Sequence, residues 1–205
     1  MSTDNPKARS ISAAADHVVA MTATIADTEL ARPTPCRDLN LAALLTHVDG
    51  LSQAFSAAAR KEFGPLTSTP PDPTQNQQTQ LPSEWRDDMR RHVHDLADSW
   101  DDDAAWEGMT QAGGVELPAE IMGMVALSEL VLHGWDIARA AGISFDVPDE
   151  ILQVVFDFHF PPQPQDERDG MFGPVVEVPD DAPLADRLAG LTGRDPRWSR
   201  TTAQN

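Results

Sequence analysis

The sequence has few basic residues, a single cysteine and no long apolar run, and each shortage excludes a class of protein. Lys and Arg number 15 against 33 Asp and Glu, which gives a formal net charge of −18. Nucleic acids and anionic membranes are bound mainly through Lys and Arg, so neither is an expected partner. With Cys36 as the one cysteine no internal disulfide can form, which excludes a disulfide-stapled secreted scaffold.

No apolar run reaches the length of about 18 residues that a membrane span needs, and the N-terminal segment is polar. The 205 residues, 40% of them apolar, are typical of one globular domain. We therefore expect a soluble, cytoplasmic protein that is a monomer or a homodimer.

Apolar residues recur at helical spacing in four long segments, approximately 11–25, 40–64, 83–100 and 118–142. Asn40 and Ser83 are suitable N-caps, Pro118 suits the first turn of the fourth helix, and Gly142 suits its end. Residues 105–110 and 115–117, around the glycines of 111–114, predict a small β-hairpin.

Segments rich in proline and glycine at 64–82 and 161–183 are predicted loops. After the fourth helix we expect a helix at about 149–159 and a short one near 184–191. The pattern predicts an all-α fold: a four-helix bundle over residues 8–142, carrying a C-terminal extension, residues 143–205, packed on the bundle.

The fourth predicted helix carries Glu129 and His133, which lie four residues apart on one otherwise apolar face. A buried carboxylate needs a cation or hydrogen-bond donors, and a divalent metal would supply the first. A hydrogen bond between the two side chains is the alternative. His47, on the flank of the apolar stripe of the second helix, would complete a two-His, one-carboxylate set with an open position, as in catalytic zinc sites.

Two motifs are similar to a known family: Thr34-Pro-Cys36 followed by a helix with His47, and Glu129-Leu-Val-Leu-His133-Gly-Trp-Asp136. The chain resembles the metal-binding domain of mycothiol-dependent maleylpyruvate isomerase, within the DinB-like superfamily of four-helix bundles. The resemblance implies His47, Glu129 and His133 as metal ligands and mycothiol as a possible co-substrate. Two departures are Leu39, where the family usually has Trp, and the region after Gly142, which does not look like the isomerase's second domain.

Three further residues carry two interpretations each, and a fourth carries none. Asp136 either orients His133 or is an exposed residue near a helix end. His92 is either a fourth ligand or a satisfied core histidine. Cys36, just before the second helix, is either a thiol with a lowered pKa or an inert buried one. His159, next to two prolines, is uninformative.

These observations predict a divalent-metal protein, with zinc as the first choice and nickel, iron or manganese as alternatives. As an enzyme it would be a thiol S-transferase or isomerase that acts on a small electrophile. The alternatives are a bundle that binds a metal or small ligand without turnover, and a purely structural role for the three residues.

Overall fold

A computed structural model describes residues 6–70, 78–168 and 171–200 of the chain. Its helices and strands, in chain order, are α1 (Pro6–Thr22), α2 (Leu41–Ala59), α3 (Pro65–Ser68), α4 (Trp85–Trp100), β1 (Met109–Ala112), β2 (Val115–Pro118), α5 (Ala119–Ala141), α6 (Asp149–His159), α7 (Gln165–Arg168) and α8 (Leu184–Leu191).

The four long helices form the predicted bundle. Helices α1 and α2 each pack against both α4 and α5, so the order around the bundle is α1, α4, α2, α5. Each presents an apolar stripe to the centre, where Leu44, Leu96 and Leu127 are almost completely buried. The prediction of an all-α four-helix bundle with a hairpin before its last helix is confirmed.

Helix α5 is the central element of the core. It is long and apolar enough to pass for a membrane span by length and composition, but 83% of its most apolar stretch is buried within the protein. Core helices of soluble proteins pass the same test. At its C-terminus Gly142 takes the left-handed conformation, with φ of 72°, which glycine adopts without a Cβ penalty.

The local start signals were predicted with mixed success. The side chain of Asn40 accepts a hydrogen bond of 2.9 Å from the Ala43 amide, so this N-cap is confirmed. The Ser83 cap is wrong, because α4 begins one residue later, after Glu84 and without a side-chain cap. The first hairpin strand also begins later than predicted, since residues 103–106 form a 3-10 turn.

The predicted loop 64–82 contains the short helix α3, and its residues 71–77 lie outside the described part of the chain. Thr67 of α3 is buried, and its carbonyl accepts a 2.8 Å hydrogen bond from the Gly114 amide, which ties α3 to the hairpin. In the predicted loop 161–183 residues 169–170, and at the C-terminus residues 201–205, likewise lie outside the described ranges.

Helices α6 and α8 have the bounds that the sequence predicts. Helix α6 packs against α5 and against α8, so the extension lies over the helix that carries Glu129 and His133. The division of the chain at residue 142 stays a prediction.

Candidate metal centre

The structure brings the three predicted ligands together between α2 and α5. His47 of α2 and Glu129 and His133 of α5 offer ligand atoms that all lie within 4.8 Å of one another. The two imidazole rings meet edge to face, with 5.0 Å between their centroids. His133 Nε2 is 3.0 Å from Glu129 Oε2, as expected for residues one helical turn apart.

The donor set suits a divalent transition metal. Two imidazole nitrogens and one carboxylate oxygen are the ligands of catalytic zinc sites, and in tetrahedral zinc they lie roughly 3.4 Å apart. Ligand atoms that lie within 4.8 Å of one another would reach this spacing through small rotations of their side chains. The side chain of Glu129 is 33% exposed and that of His133 only 10%, so the cluster lies at the edge of the core with one open side.

The protonation states of the metal-free cluster follow from its contacts. Burial and the neighbouring His133 lower the pKa of His47 to about 4, so His47 is neutral and able to bind a metal. Burial also acts to lower the pKa of His133, but hydrogen bonds to Asp136 and Glu129 outweigh it and the pKa is about 9. A proton on His133 thus supplies the positive charge that a metal would supply in its place.

Asp136 has no exposed surface. It contacts the ring nitrogen of His133 that does not face Glu129. Its Oδ2 lies 3.1 Å from His133 Nδ1, which leaves Nε2 directed at Glu129. This contact favours the orienting interpretation of Asp136 over that of an exposed helix-end residue. Such a carboxylate fixes both the ring orientation and the tautomer of a metal-binding histidine.

Cys36 lies close enough to Asp136 for the charge of that carboxylate to act on its thiol. The effect does not activate the thiol. Burial is the main cause that raises its pKa to about 11, and the negative charge of Asp136 adds to it. Of the two interpretations of Cys36, this direction favours the inert buried thiol over the thiol with a lowered pKa. The Thr34 hydroxyl donates to the carbonyls of Cys36 and Leu39, so this motif builds the turn that leads into α2.

The other histidines of the bundle lie away from the cluster. His92 Nδ1 is 2.8 Å from Asp49 Oδ1, which favours the satisfied histidine over the fourth ligand. His94 faces Asp16 at 3.4 Å and is 44% exposed.

Two residues of the extension reach the surroundings of the site, and neither was a predicted site residue. Arg194 forms a two-point ion pair with Asp136, and His159 Nε2 is 3.0 Å from the Ser128 hydroxyl. Burial lowers the pKa of His159 to about 4, so it is neutral. The one signal that pointed toward Arg194 is indirect: a carboxylate on an apolar helix needs a cation as its partner.

The bundle interior next to the site is closed. A cavity beside Glu129 has a volume of only about 10 Å³, and its other walls are mostly apolar, Phe55, Leu96 and Leu130 among them. It has room for no more than about one water molecule. This cavity is therefore too small to hold a substrate.

Comparisons with known proteins identify a family and a fold. The family model of the mycothiol maleylpyruvate isomerase N-terminal domain matches residues 11–138. Two crystal structures of mycothiol-dependent maleylpyruvate isomerase, one of them a variant with histidine replaced by alanine, have the same fold. They show TM-scores of 0.54 and 0.55, 20% sequence identity, and cover 74% of this chain and 68% of theirs. None of the curated proteins compared with the chain matches it.

The matched segment contains α2 and α4 and most of α1 and α5, and with them all three residues of the cluster. It spans more than half of the chain. The chain therefore belongs to the family of the mycothiol maleylpyruvate isomerase N-terminal domain.

Proposed function

We propose that the chain binds a divalent metal ion through His47, Glu129 and His133, with zinc as the first candidate. The bound ion would activate a small thiol such as mycothiol. The observation that carries this proposal is the convergence of these three side chains in a chain of this family. Three protein ligands leave one coordination position open. A thiol that binds the ion at this position would lose its proton at neutral pH. The reaction class is transfer of the thiol to a small electrophile, or thiol-dependent isomerisation of one.

The charge of the surroundings supports an anionic ligand at the open position. Burial acts to raise the pKa values of Glu129 and Asp136, but ionic and hydrogen-bonding partners outweigh it and both are carboxylates, while Arg194 is a cation. With His133 neutral, these three groups leave one net negative charge, which a divalent ion turns into one net positive charge. A thiolate balances that charge, whereas a neutral ligand does not.

Cys36 supports a thiol that comes from solution. Its raised pKa of about 11 keeps it protonated at neutral pH, and the chain has no second cysteine. The thiolate is the nucleophilic form of a thiol, so the chain's own sulfur does not serve as one under these conditions. A small external thiol reaching the open side of Glu129 fits both observations.

Metal analysis of the purified protein tests the first half of the proposal. We expect stoichiometric metal in the unmodified protein and its loss in H47A and H133A, measured by elemental mass spectrometry. H92A is the matched control, since His92 is also a half-buried bundle histidine facing a carboxylate, Asp49, but lies outside the cluster. Retention of metal in both ligand variants would contradict the proposal.

Thiol chemistry is tested separately with the metal-loaded protein. We expect the protein to accelerate the reaction of mycothiol with a small electrophile, including isomerisation of maleylpyruvate, and E129A to abolish the acceleration. A protein that holds stoichiometric metal and accelerates neither reaction would be a metal-binding bundle without turnover.

A further inference from the structure

Arg194 is held directly behind the metal centre although it lies far along the chain in the extension. Its Nε donates to Asp136 Oδ1 at 3.0 Å and its Nη2 to Asp136 Oδ2 at 2.9 Å. The side chain of Arg194 is 12% exposed and that of Asp136 is completely buried. A two-point contact of this kind fixes the plane of the carboxylate, which a single hydrogen bond would leave free to rotate.

The same carboxylate oxygen that accepts from Nη2 also faces the imidazole. Asp136 Oδ2 is 3.1 Å from His133 Nδ1, and the opposite ring nitrogen, Nε2, is the one that faces Glu129. The guanidinium, the carboxylate and the imidazole thus form one continuous chain of polar contacts that ends in the cluster. Rotation of the Asp136 carboxylate would rotate the His133 ring away from the ligand position.

The backbone that carries Arg194 is itself tightly located. Gly193 has a φ of 81°, and a Cβ on it would lie 2.6 Å from the carbonyl oxygen of Gly173. The buried Arg168 donates to that carbonyl at 3.2 Å and to the Leu191 carbonyl at 2.8 Å. These contacts lock the turn after α8, so the position of Arg194 is set by the packing of the extension and not by Asp136 alone.

We infer that the extension completes the metal centre: Arg194 is a positioning residue that acts through Asp136 to hold His133 in its ligand orientation. The inference rests on the proposed metal function and goes beyond it, because Arg194 lies outside the matched residues 11–138. The bundle alone would supply the three ligands but would leave Asp136 without the cation that fixes it.

The test is a double-mutant cycle on Zn²⁺ affinity, measured with the full-length metal-free protein by competition with a chromophoric chelator. The variants are R194M, D136N and R194M/D136N. Loss of a hydrogen-bonded partner behind a metal ligand lowers metal affinity by about 10- to 100-fold, so we expect R194M to bind Zn²⁺ at least about tenfold more weakly. R194K, which keeps the charge and loses the two-point contact, should lie between R194M and the unmodified protein.

The cycle separates positioning from a general loosening of the extension. If Arg194 acts through Asp136, R194M causes no further loss in the D136N background. R187M is the matched control, because Arg187 of α8 lies over the Phe156 ring and does not contact Asp136, and we expect unchanged affinity. Should R194M fail to fold, R194K and R194K/D136N provide the same comparison.

Each remaining outcome is decisive. Equal affinity of R194M and the unmodified protein, or an equal loss from R194M in both backgrounds, overturns the inference. If H47A loses Zn²⁺ in the same assay, the proposed function stands all the same. An unmodified protein that binds neither Zn²⁺ nor Ni²⁺, Fe²⁺ or Mn²⁺ overturns both.

Discussion

Replacing His133 and replacing His47 by alanine should have the same effect on metal binding but different effects on the metal-free protein. Each substitution removes one of the three proposed ligands. In the absence of metal, however, His133 is the protonated centre of an ionic network with Glu129 and Asp136, whereas His47 is neutral and meets only the edge of the His133 ring. The metal-free proteins therefore differ in what they lose.

The size of the difference follows from the contacts that remain. Removing one partner of a buried ion pair costs about 3–5 kcal/mol. In H133A, Asp136 keeps Arg194 and Glu129 is 33% exposed, so solvent and the guanidinium offset part of that cost. We expect H133A to lower the free energy of unfolding by about 2 kcal/mol, against about 1 kcal/mol or less for H47A, which loses only packing.

Urea unfolding at pH 7 with a metal chelator present measures both values, and elemental analysis of samples purified without chelator measures the shared loss of metal. The slope of free energy against urea must be equal in both variants for the comparison to hold. H47A as unstable as H133A, or more so, would refute the assignment of His133 as the cation of the network.

Four further substitutions test the fold around the site. Gly123→Ala should lower the free energy of unfolding by about 1–3 kcal/mol, because its Cβ would lie 2.5 Å from the Trp106 ring. Gly50→Ala has open space at its Cβ and should raise the free energy of unfolding by up to about 1 kcal/mol. Thermal melts with the opposite order would contradict this packing. Asn40→Ala should cost about 1 kcal/mol through loss of the α2 cap, and unchanged unfolding would argue against that cap. Burial lowers the pKa of His159 to about 4 from 6.5, so the folded state binds fewer protons than the unfolded state between these values and stability falls as pH drops through them. His159→Asn should flatten that fall in chelator-treated protein, and parallel pH profiles would contradict it.

The bundle and most of the cluster could be predicted from the sequence because their signals are local. Glu129 and His133 share a face by helical spacing alone, and the Asn40 cap and the Gly142 stop depend on a few neighbouring residues. His47 required one further step, its place on the flank of an apolar stripe. The short helix α3 was missed because its support comes from the hairpin, more than 40 residues further along the chain.

Asp136 shows why the rest of the site could not be predicted. A buried carboxylate requires a cation or hydrogen-bond donors, but the sequence left open whether Asp136 is buried and does not identify its partner. The extension alone offers several arginines, and the one that reaches Asp136 is 58 residues away. Arg194 reaches Asp136 because of the left-handed turn at Gly193 and the close approach of Gly173 to that turn. The residues around Asp136 carry no signal for either feature. Helix periodicity thus places Glu129 and His133 on one face, while the packing of the extension decides which cation pairs with Asp136.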